Sequence, residues 1–121
     1  MSTPLCSTRI QRLVDIADDT LGHGTVFRVP GQWPYEPVVD FMLFDYADVE
    51  RPHGLIVTTG HKAGLILVLL PRQSGHDQWR GARTAWIVSE WARWIYPECA
   101  VDDVQVLRRY PAPMAALPAI G

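Results

Sequence analysis

Four histidines, His23, His53, His61 and His76, are the first candidates for chemistry, and they are scattered over predicted loops. Metal ligation needs imidazoles, thiolates or carboxylates that converge, and on a helix that means an i, i+4 spacing as in HExxH. No two histidines stand at that spacing. Cys6 and Cys99 belong to no CxxC pair and have no histidine at ligand spacing. They read as free thiols of a reducing compartment. No metal or cofactor is therefore expected. His61-Lys62 is the best-placed catalytic pair, because Gly60 and Gly64 frame it. Glycines let backbone amides approach an anion, and a lysine beside them can hold a phosphate. The spacing is not GxxxxGK[ST], and the turn opens into a strand rather than a helix, so a plain hairpin turn is the stronger reading. The alternative is a small hydrolase or nucleotide-handling enzyme using His61 and Lys62. It requires His61 in a concave site with a carboxylate within reach. No GxSxG or similar signature supplies a nucleophile. Asp102 and Asp103 read as acids of the turn leading into a strand, not as a catalytic pair.

Two surface clusters carry more information. A helix is predicted from about Ala82 to Tyr96, ending before Pro97 because proline disfavours helix in the residue preceding it. At about 100° per residue, Ala85, Ile87, Val88, Trp91, Ala92, Trp94 and Ile95 form its apolar arc. Trp86 falls outside that arc, among Arg83, Ser89, Glu90 and Arg93. A surface tryptophan flanked by arginines has the composition of an interface hot spot. A first helix is predicted after a Ser7 or Thr8 cap, with Ile10, Leu13, Val14, Ile16, Ala17 and Leu21 on its buried stripe. Asp15, Asp18 and Asp19 share its opposite face, with Arg12 in reach of Asp15. Such an acidic face could dock a basic partner.

The remaining pattern is that of strands. Thr25 to Val29 is a short strand, closed by the Pro30-Gly31 turn. Val38 to Tyr46 carries apolar residues on both faces, which suggests a central strand, although Asp40 and Asp45 interrupt it. Leu55 to Thr59 and Leu65 to Leu70 form a hairpin across Gly60 to Gly64. Val101 to Arg109 is the last strand. Strands joined by short turns favour antiparallel pairing. The expectation is an α+β fold, a mainly antiparallel sheet of about five strands with two helices packed on it. Residues 1–110 form the single domain, and 111–121 a Pro/Ala-rich tail.

The chain has 121 residues, 48% hydrophobic and 20% charged, with a formal net charge of -2. That is ordinary globular composition and excludes a disordered or collagen-like chain. It lacks the basic excess of a nucleic-acid binder. No apolar run approaches the ~20 residues that span a bilayer, and the N-terminus does not read as a signal peptide. The expectation is a cytoplasmic protein that engages neither nucleic acid nor membrane, its oligomeric state left open.

Several segments have a familiar character. They are Gly24-Thr25-Val26-Phe27-Arg28-Val29-Pro30, Trp33-Pro34-Tyr35-Glu36, Val39-Asp40-Phe41-Met42, Gly54-Leu55-Ile56-Val57, His61 through Val68, and Trp94-Ile95-Tyr96-Pro97. Together, from Gly24 to Leu107, they resemble bacterial immunity proteins, in particular the immunity protein 45 family of polymorphic toxin and contact-dependent growth inhibition systems. The resemblance implies a non-enzymatic protein that neutralises a cognate toxin by binding it. It carries over no catalytic residue. The toxin contacts expected from the residues themselves are Trp86 with Arg83, Glu90 and Arg93, and separately Asp15, Asp18 and Asp19.

Overall fold

A computed structural model describes residues 10–31, 36–78 and 80–110. Its strands are β1 (Ile10–Arg12), β2 (Thr20–Leu21), β3 (Val26–Pro30), β4 (Val38–Asp45), β5 (His53–Val57), β6 (Ile66–Leu70), β7 (Ala82–Arg83) and β8 (Gln105–Leu107). One α-helix, α1 (Thr84–Glu90), continues into a π-helical turn over Trp91–Ile95. Six strands form one antiparallel sheet in the order β1-β8-β3-β4-β5-β6. β2 and β7 make a separate two-stranded ribbon.

Alternation along each strand sorts the two faces of the sheet. Val106, Phe27, Phe41 and Val57 lie in one cross-strand row on the core face. Ile87 and Trp91 pack against that face, with Trp91 5.8 Å from Phe27 between ring centroids. Each such large side chain contributes about 1.5–3 kcal/mol on burial. The opposite face carries an apolar row through all six strands: Ile10, Leu107, Val26, Met42, Ile56 and Ile66. Two faces of apolar side chains explain why β4, in the interior of the sheet, reads as a nearly continuous hydrophobic run. Gly54 has a local reason to lack a side chain. A Cβ there would stand 2.6 Å from the Phe44 ring and 2.9 Å from Leu69.

The α+β class holds, but the element count of five strands and two helices does not. The predicted first helix is replaced by β1, a 3-10 turn over Leu13–Asp15 and β2. Leu13 is fully buried and its amide donates to the Val104 carbonyl at 2.8 Å. Ile10 pairs with Leu107, and Thr20 with Arg83. Pairing to distant strands thus outweighs a helical periodicity that rested partly on β-branched residues of modest helix propensity. The Ser7 or Thr8 cap and the 111–121 tail lie outside the described residues. The second helix is shorter than predicted. Ala82 and Arg83 belong to β7, and the last turn is π-wound, with the Tyr96 amide donating to the Trp91 carbonyl at 2.9 Å. The hairpin of β5 and β6 forms as predicted, and Asp102 and Asp103 sit in a 3-10 turn before β8.

Candidate binding surface

The two predicted clusters flank the same helix. Ile87 on α1 and Trp91 at the start of the π-helical turn are buried in the core. Thr84, Ala85 and Val88 lie on one flank and face the chain from Leu13 to Asp19, enclosing a groove of about 340 Å³. The β2–β7 ribbon sets this placement by pairing Thr20 with Arg83 and Leu21 with Ala82. The Thr84 amide then donates to the Asp19 carbonyl at 2.9 Å. Gly81 enables the entry into β7. Its φ is +112°, and a Cβ would stand 2.7 Å from the Leu21 carbonyl oxygen.

Asp15, Asp18 and Asp19 are all exposed, but no helix arranges them on one face. Asp15 pairs with Arg12 at 3.1 Å, and that hydrogen bond, with the carboxylate's charge, raises the Arg12 pKa. Asp18 pairs with Arg108 at 3.2 Å. Asp18 and Asp19 border the groove. Instead of ending a helix, Asp19 stands beside the start of one, where the backbone dipole favours negative charge.

Trp86 lies on the other flank and is half-buried, not free on a polar face. Its ring meets Trp94 at 6.0 Å, and the Arg51 guanidinium sits 5.9 Å from the Trp94 ring centroid. Both tryptophans are partly buried and pack against the core cluster, and the wider π turn sets Trp94 beside Trp86. Arg93, 80% exposed in its side chain, lies 3.9 Å from Glu90. Arg83 is exposed at the ribbon. Glu90 and Arg93 follow Trp86 along the helical segment, and Arg83 stands across the ribbon from Thr20.

Of the two requirements of the enzyme reading, His61 has a carboxylate nearby but not the concave site. It is 74% exposed in its side chain, with its Nδ1 3.5 Å from the Glu36 carboxylate, on an open turn. Lys62, not His61, borders an adjacent pocket of about 290 Å³ whose walls include Phe41, Val57 and Ile95. A site that sequence reasoning missed surrounds His53, which is 93% buried. Its Nδ1 stands 3.3 Å from Asp45, its cross-strand partner, without hydrogen-bond geometry. The pair opens onto a pocket of about 470 Å³ that Arg72, His76 and Arg80 also line. Only the strand register, invisible in sequence, brings His53 to Asp45. Among the described residues no group of three or more His, Cys, Asp or Glu could hold a metal ion. No described helix is long and apolar enough to cross a membrane.

An antiparallel sheet with one short helix against it, bearing an aromatic cluster and an acidic groove, defines a small α+β module whose distinctive features lie at its surface. A family model described as Immunity protein 45 matches residues 13–106. The chain belongs to that family, and its general role is that of an immunity protein, whose partner is a protein toxin. No curated protein and no solved structure matches the chain.

Proposed function

We propose that this protein binds and neutralises a cognate bacterial toxin of a contact-dependent inhibition or polymorphic toxin system, acting in the cytoplasm without a cofactor. The observation that carries this reading is the family match over residues 13–106. Residues 1–110 act as the binding domain, with 111–121 as a tail. The toxin covers a surface of roughly 800 Å² on each partner, which occludes its active site or a neighbouring face. The proposed contacts are Trp86 with Arg83, Glu90 and Arg93 on one flank of α1, and Asp15, Asp18 and Asp19 on the other. Charge complementarity sets specificity and association rate.

The test is co-expression with the toxin domain encoded beside this gene. Restored growth, together with a one-to-one complex by calorimetry, supports the proposal. Growth arrest that persists while the immunity chain is present and folded removes it.

A further inference from the structure

The sheet has a second face that its core cluster does not use. Val26 is fully buried on that face and Leu107 nearly so, yet neither belongs to the cluster. The helical segment, the β2–β7 ribbon and the turns through Leu13 and Val101 all pack with the cluster on the first face. Side chains stand roughly perpendicular to a sheet, so a cross-strand neighbour such as Met42 shields the flank of Val26 but not its outer end. A second layer therefore lies above it. That layer is central, because Ile10 and Ile66, at the two edges of the same row, are 46% and 52% exposed.

Tyr110 begins the layer. Asp40 stands two residues before Met42, and Thr58 two after Ile56, so strand alternation puts both on the second face. The Tyr110 hydroxyl meets them at 2.7 and 2.6 Å. The chain leaves the sheet at Leu107 of β8, beside β3, and by Tyr110 it holds on to β4 and the end of β5. It has turned inward over the second face, toward the middle of the sheet.

The sequence that follows suits this path. Pro111 to Gly121 carries no charged residue, and Pro111, Pro113 and Pro118 oppose its pairing as a further strand. Prolines favour polyproline II, an extended form that needs no backbone partners and turns once in three residues. Met114, Leu117 and Ile120 recur at that period. They would stand about 9 Å apart in that form, close to two strand separations of ~4.8 Å each. Residues 1–9, the other long segment outside the described residues, bring in Arg9 and join the sheet at edge strand β1, where Ile10 is exposed.

We propose that residues 111–121 lie across the second face as an intramolecular cover, with Met114, Leu117 and Ile120 packed over Val26, Met42 and Leu107. Tyr110 is the pin that sets where the cover starts. The inference stands apart from the toxin-binding reading.

The test is methyl NMR of the full chain. Nuclear Overhauser contacts are expected from the methyl groups of Met114, Leu117 or Ile120 to those of Val26, Met42 or Leu107, and they should persist on dilution. Contacts from Leu5 instead would assign the cover to the N-terminal segment and overturn the proposal. Contacts seen only between differently labelled molecules in a mixed sample would assign it to a second copy, with the same consequence. Absence of any contact from the tail also overturns it. Leu117→Asp puts a charge into the cover and leaves the first face untouched. It should erase the contacts, move the Val26 and Met42 methyl resonances, and raise the fluorescence of anilinonaphthalene sulfonate, which reports exposed apolar surface. A folded variant with the parental spectrum and dye response contradicts the proposal. If the variant does not fold, the contacts in the parent chain decide.

Discussion

The Arg28 guanidinium clasps the Asp40 carboxylate with two hydrogen bonds, of 2.8 and 2.9 Å, directly across the β3–β4 ladder. Asp40 is only 1% exposed in its side chain. Tyr110 donates its hydroxyl to the same carboxylate at 2.7 Å and stands 2.6 Å from the Thr58 hydroxyl. The Asp40 amide donates to Thr59 Oγ1 at 3.0 Å. One acid thus ties together β3, β4, the end of β5 and the chain that follows β8. Asp40→Asn leaves the guanidinium without its counter-charge on the sheet. The expected loss is about 3 kcal/mol, the scale for breaking a buried pair from one side. The midpoint of urea denaturation measures it, and a change below about 1 kcal/mol would show that water replaces the bond.

Tyr110 gives this network a pH signature. Burial pushes its phenol above the ordinary value of 10.0, the Thr58 hydrogen bond opposes that, and Asp40 adds to it. The folded state therefore holds its proton after the unfolded chain has released its own. That contribution to stability is complete below about pH 10 and declines as pH rises through the higher folded value. Tyr110→Phe should lack this part of the alkaline loss. Urea denaturation on both sides of pH 10 compares the two chains, and parallel pH profiles would contradict the assignment.

Gly54 is fixed by contact. Gly54→Ala places a methyl into the Phe44 ring and Leu69, which must both shift. Overpacking of this kind costs about 1–3 kcal/mol. Thermal melting should show the loss, and a second substitution, Phe44→Leu, should recover part of it. Additive losses in the double variant would place the cause elsewhere.

Trp86→Ala should weaken toxin binding by more than about 2 kcal/mol, the range of an interface anchor. The contact with Trp94 adds a cost in stability of roughly 0.5–1.5 kcal/mol beyond the lost burial. Calorimetry against the toxin domain and urea denaturation of the free chain separate the two effects. Unchanged affinity in a folded variant removes Trp86 from the interface.

Burial also raises the Cys99 thiol, with the neighbouring Trp91 acting in the opposite direction. A thiol that keeps its proton is a poor nucleophile. Alkylation of Cys99 at neutral pH should therefore be slower than for a solvated cysteine and should accelerate in urea. A rate unaffected by unfolding would exclude a protective role for its setting.

The middle of the fold was legible because its signals are local. Apolar residues on both faces marked β4, and Gly60 to Gly64 marked the β5–β6 hairpin. Asp40 was visible as an interruption of that run, but its partner Arg28 was not, because the cross-strand register that joins them is nonlocal. The first helix failed for the same reason. Its spacing was real, yet the carbonyl that takes the Leu13 amide belongs to Val104, far along the chain.

Sequence alone determined β3 to β6 and the kinship of the chain, since period-two alternation and turn residues act over a few positions. Only tertiary structure decided that Asp18, Asp19 and Thr84 share a groove, that Trp86 leans on Trp94, and that His53 meets Asp45. Those arrangements depend on which distant segment satisfies each backbone amide, a competition that no local pattern records.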